Sequence, residues 1–270
     1  MPTDQSATTE YLTTPEGHRL SYVDFGGPGR PVLALHGAYG RGRAFHGLAE
    51  RLGPRYRVIA VDQRGHGLSD HPRDYGREAF IGDAASVIEQ LGLASAVVLG
   101  HSLGGINAYQ LAARRPELVA AAAVVDVGAE ISVPEDTAIA GLPQRFASLQ
   151  ALREGIWRAI APFGVVEHFD ESAVEDEHGW RFLWDAADMA QVKRGACGAW
   201  WDDWAGGEQP LLLIRGEDSP LIPPAHGADM VRRRANTELV TIEGAGHDLY
   251  LSHPDQFAAA VRRFLDELGR

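Results

Sequence analysis

Residues 96–105 read AVVLGHSLGG, and this stretch decides the fold of the chain. The apolar, β-branched run at 96–99 predicts a buried strand, and residues 106–115 (INAYQLAARR) predict a helix. The turn between them must be very tight, and glycines two residues either side of Ser102 let neighbouring backbone approach where a Cβ would collide. We therefore expect Ser102 in a strained conformation, with its Oγ exposed at the edge of a sheet.

Strand-like and helix-like segments alternate on both sides of this turn. The sequence predicts strands at 18–24, 31–36, 56–61, 96–100, 121–126, 210–215 and 238–243. It predicts helices at 43–52, 77–91, 103–115, 225–234 and 254–268. This alternation predicts an α/β fold with a mostly parallel central sheet flanked by helices. In such a sheet a ligand site forms beyond the carboxyl ends of the strands.

The alternation breaks between Gly128 and Gly207, where short helical patterns such as 142–152 and 171–185 occur without a convincing strand. A helical insertion between two strands lies over the carboxyl edge of the sheet as a lid. We therefore predict a core domain of residues 1–127 and 208–270 and a helical lid insertion of residues 128–207. The insertion contains all six tryptophans: Trp157, Trp180, Trp184, Trp200, Trp201 and Trp204.

Most of these indoles are expected to attach the lid to the core. The candidates for lining an apolar substrate pocket are Tyr39, Trp180, Trp184 and Trp200.

Composition limits the class of protein and its partners. The chain has 270 residues, and 45% hydrophobic with 23% charged residues is typical of a globular protein. A net charge of −12 without a basic block argues against nucleic acid as a partner. The single cysteine, Cys197, excludes an internal disulfide and a cysteine-based metal site. Residues 1–10 lack the apolar core of a signal peptide, and no run is long enough to span a bilayer, so we expect a cytoplasmic protein without a membrane partner.

A serine becomes a nucleophile when a histidine takes its proton and a carboxylate orients that histidine. After a strand-turn-helix serine the expected chain order is serine, acid, histidine. Asp218 lies in the loop after the predicted strand 210–215, and His247 lies in the loop after 238–243. Because successive strand ends are neighbours in space, this acid and base can meet above the sheet.

A tetrahedral intermediate also needs hydrogen-bond donors for its oxyanion. The amide that follows the serine, from Leu103, is one candidate. The loop after the predicted strand 31–36 supplies the other, and Ala38, which follows His36-Gly37, is our choice.

Together these residues resemble the α/β-hydrolase family. The motifs that carry the resemblance are His36-Gly37, DQRGHGLS at 62–69, the turn at 100–105, the loop at 216–218 and Gly246-His247. The resemblance spans about residues 18–268. It implies that Ser102 is the nucleophile, His247 the general base and Asp218 the orienting acid. Some relatives place the acid after the strand that corresponds to 121–126, which makes Asp126 the alternative.

Several other polar residues are interpreted as supporting or solvated groups. His36 and His101 are expected to support loops around the site, and Asp62 with Arg64 is expected to brace the loop beneath it. Asp248 is expected to be solvated. Five histidines without metal-ligand spacing are expected at the surface or in packing: His66, His168, His178, His226 and His253.

The sequence thus predicts a cofactor-independent and metal-independent serine hydrolase. Its expected substrate is a carboxylic ester or lactone of a small to medium apolar molecule, cleaved through an acyl-enzyme. Serine at the turn separates the chain from relatives that use an aspartate there on haloalkanes or epoxides. Three enzymatic alternatives remain: cleavage of a carbon–carbon bond beside a ketone, peroxyacid formation and amide cleavage. A ligand-binding sensor of the same fold is the non-enzymatic alternative, and no sequence feature indicates the oligomeric state.

Overall fold

The computed structural model describes residues 8–93, 95–132, 137–160 and 165–269. The first six strands are β1 (Thr8–Thr13), β2 (Arg19–Asp24), β3 (Arg30–Leu35), β4 (Tyr56–Val61), β5 (Ala96–His101) and β6 (Val119–Val125). The later strands are β7 (Glu130–Ile131), β8 (Ala173–Asp176), β9 (Gly179–Phe182), β10 (Gly198–Ala199), β11 (Leu211–Gly216) and β12 (Thr237–Ile242).

Helices flank these strands along the described chain. The first six are α1 (His46–Leu52), α2 (Arg77–Gln90), α3 (Leu103–Arg114), α4 (Thr137–Ala140), α5 (Leu149–Ile160) and α6 (Glu167–Asp170). The remainder are α7 (Ala186–Ala196), α8 (Trp201–Gly206), α9 (Pro224–Arg233), α10 (Leu249–Ser252) and α11 (Pro254–Glu267).

Eight strands form one central sheet in the order β1-β2-β4-β3-β5-β6-β11-β12. From β4 to β12 every neighbouring pair in this order is parallel, while β2 pairs antiparallel with both β1 and β4. The seven predicted strands all belong to this sheet, which confirms the mostly parallel α/β fold. The remaining strand, β1, was not predicted, because its TTEYLT sequence is largely polar and the strand is mostly exposed.

The sheet separates two hydrophobic clusters, as its alternating side chains require. Leu33 and Leu35 of β3 face the cluster that contains α2 and α3. Val32 and Ala34 of the same strand face the cluster that contains α1 and α11. With both faces covered, the inner strands are apolar throughout, which is the pattern of parallel strands.

The chain leaves the sheet after β6 and returns at β11, which lies beside β6. The segment between them, residues 128–207, was predicted to lack convincing strands, and this is wrong in detail. Short antiparallel pairs form between β7 and β10 and between β8 and β9. The pattern at 171–185 was interpreted as helical but contains the β8–β9 hairpin, which turns at Gly179 with φ +102°. The helix predicted at 142–152 begins later, as α5.

Within the part of the chain that the structure describes, no helix has the length and apolar character needed to cross a bilayer.

Candidate active site

Ser102 lies on a sharp turn between β5 and α3. Its φ of +51° and ψ of −115° fall outside the regions that non-glycine residues normally occupy. The turn is held by the Ser102 amide, which donates to the Val125 carbonyl at 2.9 Å. This confirms the strained conformation that the sequence predicted, and the serine side chain faces a cavity at the carboxyl edge of the sheet.

The glycines around the serine permit close backbone approach. A Cβ built on Gly100 would overlap the carbonyl of Gly104, and one built on Gly104 would overlap the carbonyl of Leu35. Glycine at position 100 therefore lets the two ends of the turn approach each other, and glycine at position 104 lets α3 pack against β3. The steric role predicted for these glycines is therefore confirmed.

His247 lies in the loop after β12 and contacts Asp126. Its Nδ1 is 2.8 Å from Asp126 Oδ2, and since a carboxylate oxygen accepts, Nδ1 donates. The carboxylate of Asp126 is completely buried at the end of β6. Because Nδ1 is engaged, Nε2 of His247 remains to act as a base.

Asp218 was predicted to be this carboxylate, and the geometry corrects that prediction. Its side chain is exposed, while its amide donates to the Ala245 carbonyl at 2.9 Å. The loop after β11 instead supports Asp126, because the Gly216 amide donates to Oδ1 at 2.9 Å and the Ser219 hydroxyl donates to Oδ2. The alternative acid that the sequence left open, at the end of the strand next to β5, is the one beside His247.

Charge around His247 favours its protonated form. Burial alone opposes protonation of the ring, but the hydrogen bond and negative charge of Asp126, with the charge of Asp248, raise the pKa of His247 above its ordinary value. A carboxylate so placed also stabilises the imidazolium that forms when the histidine accepts a proton.

A cavity of about 700 Å³ opens beside Ser102 and His247. Most of its walls are apolar, and residues of the 128–207 segment form one side. Its lining includes Ala38, Tyr39, Leu103, Ile106, Val127, Ile131, Ile139, Ile160, Phe169, Val192, Ala196, Leu221, Lys193, His168 and His226. This size and character suit a small to medium substrate with an apolar part.

Of the four residues predicted to line a substrate pocket, Tyr39 lines this cavity, whereas Trp180, Trp184 and Trp200 are not among the described residues that line it. Trp184 stacks on Phe182, Trp180 belongs to β9, and Trp200 Nε1 donates to the Ala196 carbonyl at 2.9 Å. Trp184 also contacts Tyr39, which lies outside the 128–207 segment, so the alternative role of attaching this segment to the core fits this indole.

Ala38 and Leu103, the two predicted oxyanion donors, both line the cavity. Leu103 is the first residue of α3, so its N–H has no acceptor within the helix. The orientation of the peptide bond between Gly37 and Ala38 is fixed by hydrogen bonds to the Gly37 carbonyl. This oxygen accepts from the Gly40 amide at 3.1 Å and from His36 Nδ1 at 2.7 Å. A trans peptide points its N–H away from its C=O, so the Ala38 N–H faces the opposite way.

Asp248 was predicted to be solvated, and this is wrong. His168 was predicted to be a surface or packing residue, and the structure shows it packed in the interior. Both are buried at the cavity. His168 Nε2 donates to the Ala38 carbonyl at 2.8 Å, and Asp248 Oδ2 accepts from the Val165 amide at 3.1 Å. No sequence pattern marks His168, because it follows a segment without clear periodicity. His226 also lines the cavity, where its Nε2 accepts from the Ala129 amide at 3.2 Å.

Among the described residues, His101, His247 and Asp248 bring possible metal-ligand atoms within 4.8 Å of one another. His101 Nε2 donates to the His247 carbonyl at 3.1 Å, and burial, followed by the charge of His247, holds the pKa of His101 well below its ordinary value. We interpret His101 as a neutral support for the His247 loop.

The expected brace beneath the site is present. Asp62 accepts from the Gly42 amide at 2.7 Å and from the Leu68 amide at 2.9 Å. Arg64 pairs with Asp83 through two hydrogen bonds of 2.7 Å in a buried ion pair. The loop after β3 is tied to this brace because His36 Nε2 accepts from the Gln63 amide at 3.0 Å.

The chain is similar to known hydrolases in both sequence and structure. The model of the alpha/beta hydrolase family matches residues 32–260. A 2-(acetamidomethylene)succinate hydrolase of Mesorhizobium japonicum is 32% identical over 89% of this chain and 89% of its own length. An sn-1-specific diacylglycerol lipase of Mus musculus is 29% identical over 87% of this chain and 80% of its own. The crystal structure of an E-2-(acetamidomethylene)succinate hydrolase superposes with a TM-score of 0.84 at 28% identity, covering 96% of this chain and 99% of that one.

Proposed function

Because the chain belongs to the α/β-hydrolase family, we propose that it is a serine hydrolase that cleaves carboxylic esters or lactones through an acyl-enzyme. The observation that carries the proposal is the common position of Ser102 and His247 at one cavity, with Asp126 bonded to the far nitrogen of the histidine. In this proposal Ser102 is the nucleophile, His247 the general base and Asp126 the orienting acid.

The first half-reaction transfers the acyl group to Ser102. Nε2 of His247 takes the hydroxyl proton as Ser102 Oγ bonds to the substrate carbonyl carbon. The carbonyl oxygen becomes an oxyanion, which accepts hydrogen bonds from the amides of Ala38 and Leu103. When the C–O bond breaks, the imidazolium returns its proton to the alkoxide, and an alcohol leaves. In a lactone the new hydroxyl remains attached to the acyl group.

The second half-reaction hydrolyses the acyl-enzyme. Water gives a proton to Nε2 of His247 as its oxygen bonds to the ester carbon, and the same two amides hold the second oxyanion. Collapse of this intermediate returns the proton to Ser102 Oγ and releases the carboxylic acid.

We propose that the 128–207 segment covers the site as a lid. Ile160, Phe169 and Val192 of this segment form part of the cavity wall. A lid of this kind excludes water from the apolar part of the substrate and selects for its size.

The test is hydrolysis of p-nitrophenyl esters of increasing chain length, of lactones and of β-diketones, combined with fluorophosphonate labelling. We expect labelling at Ser102 and turnover of esters or lactones of short to medium length. Ser102→Ala should lower kcat by roughly 10³-fold or more while the protein stays folded, because one hydroxyl is removed. A folded wild-type protein that neither labels nor turns over any of these substrates would sink the proposal and favour a ligand sensor.

A second candidate is an ester or amide whose acyl part bears a carboxylate. Lys193, the only lysine of the chain, lies half-buried at the cavity. The relative from Mesorhizobium japonicum is named for a succinate. A lower KM for a succinate half-ester than for the matching butyrate ester, lost in Lys193→Met, would support this candidate.

A further inference from the structure

The loop after β3 that carries the Ala38 amide has a strained backbone. Tyr39, the next residue, has φ +68°, a conformation that a bulky side chain rarely adopts. Such a residue persists only when its surroundings hold it in place. The structure shows where this restraint comes from.

Three hydrogen bonds connect this loop to residues 168–172, which belong to the 128–207 segment. His168 Nε2 donates to the Ala38 carbonyl at 2.8 Å, and Ser172 Oγ donates to the Tyr39 carbonyl at 2.7 Å. In the opposite direction, Arg41 donates to the Glu171 carbonyl at 3.3 Å. His168, Ser172 and Arg41 are all buried, so water competes little for these bonds.

Aromatic packing adds to the restraint. The Tyr39 ring lies against Phe169 and Trp184, with centroid distances of 5.7 and 4.9 Å. Both partners belong to the 128–207 segment. Residues of the 128–207 segment therefore hold both the side chain and the backbone of Tyr39.

His168 is itself fixed by residues that follow His247 in the chain. Its Nδ1 lies 2.8 Å from the Tyr250 hydroxyl and 3.4 Å from Asp248 Oδ1. Burial raises the pKa of Tyr250 well above its ordinary value, so the hydroxyl keeps its proton and can donate. When Nδ1 of a neutral His168 ring accepts from the Tyr250 hydroxyl, the ring proton is on Nε2, which donates to the Ala38 carbonyl.

We propose that His168 is a positioning residue for the oxyanion site. By holding the Ala38 carbonyl, it keeps the strained loop in the conformation that aims the Ala38 N–H at the cavity. The 128–207 segment would then act on catalysis as well as on substrate selection. The inference rests on the proposed function, because it needs Ala38 to be an oxyanion donor.

The central experiment compares His168→Phe, which keeps a ring but loses the donor, with His168→Gln, whose amide can donate from a similar position. We expect His168→Phe to lower kcat for a p-nitrophenyl ester by about 10²-fold, the cost of an impaired oxyanion donor. KM should change by less than about threefold, since the ground-state carbonyl gains little from this donor. His168→Gln should recover much of the loss. His178→Phe, a change at an exposed histidine of the same segment, is the matched control and should behave as wild type.

Inhibitor binding separates a positioning role from a merely structural one. A trifluoromethyl ketone forms an oxyanion with the serine, whereas the matching methyl ketone serves as a substrate-like ligand. In His168→Phe, affinity for the first should fall by the same factor as kcat/KM, and affinity for the second should stay unchanged. Equal losses for both ketones, or a kcat within about threefold of wild type, would overturn the inference.

If His168→Phe does not fold, Ser172→Ala tests whether hydrogen bonds from residues 168–172 position the loop that carries Ala38. It removes the bond to the Tyr39 carbonyl and should reproduce the same selective loss at smaller size. A wild-type protein inactive on every ester would instead contradict the proposed function, so the two failures are distinguishable.

Discussion

At the scale of single residues, the carboxylate beside His247 belongs to Asp126, at the end of β6. The Asp126 carboxylate accepts hydrogen bonds from His247, Gly216 and Ser219, so three groups from neighbouring loops converge on it. Each of these donors favours a fixed carboxylate orientation, and a fixed carboxylate fixes the imidazole. The exposed Asp218 has no comparable set of contacts among the described residues.

Asp126→Asn is therefore expected to lower kcat by about 10³- to 10⁴-fold, because an amide cannot hold the working tautomer or stabilise the imidazolium. Asp218→Asn is the matched control at the position that the sequence favoured, and it should retain kcat within about threefold. The comparison is made on proteins of equal helical content by circular dichroism. A greater loss in Asp218→Asn than in Asp126→Asn would return the role of the acid to Asp218.

The pH dependence of kcat/KM follows from the charge around His247. The histidine must be neutral to accept a proton, so activity is absent at low pH and rises through one ionisation. Because Asp126 and Asp248 raise the pKa of His247, the midpoint should lie above the ordinary histidine value of about 6.5.

In Asp126→Asn the main raising charge is lost, so the midpoint should move to lower pH. NMR titration of the His247 ring checks this shift independently of activity. A midpoint that stays in place after this substitution would show that Asp126 does not interact with the base.

At the scale of elements, the turn between β5 and α3 depends on glycine at Gly104. An added Cβ would meet the backbone of Leu35, which cannot rotate away as a side chain could. We expect Gly104→Ala to destabilise the fold by about 3 kcal/mol, at the upper end for overpacking. Urea unfolding measures this loss.

Gly82→Ala in α2 is the matched control, because a Cβ there meets nothing within 4 Å. Alanine is the better helix former by about 1 kcal/mol, so this variant should be slightly stabilised. Equal stabilities of the two variants would contradict the packing of α3 against β3.

At the scale of the whole molecule, the 128–207 segment and the sheet share one hydrophobic cluster. Leu152, Ile156 and Trp204 of this segment are fully buried, and they belong to the same cluster as Leu33 and Val98 of the sheet. A continuous core of this kind favours a single cooperative transition.

All six tryptophans lie in the 128–207 segment, so their fluorescence reports on it, while far-ultraviolet circular dichroism reports on the whole chain. We expect the two signals to give the same midpoint in urea. A fluorescence transition at clearly lower urea would mean that the segment unfolds independently of the sheet.

The sequence by itself determined seven of the eight strands of the central sheet, the helices that flank them, the turn at Ser102 and the loop that carries His247. These features are local, since each depends on periodicity, on glycine sterics or on a loop directly after a strand. It also limited the acid to two aspartates at neighbouring strand ends.

Only the tertiary structure shows that Asp126 and not Asp218 contacts His247, because this depends on which side chain points towards His247 across strands distant in sequence. The same holds for His168, which reaches Ala38 across 130 positions in a segment without regular periodicity. Of the indoles that the sequence offered as pocket residues, Trp184 packs on Phe182 and Tyr39, and Trp200 donates to the Ala196 carbonyl. The contacts of His168 and of these indoles depend on long-range packing of the 128–207 segment, which no local sequence pattern predicts.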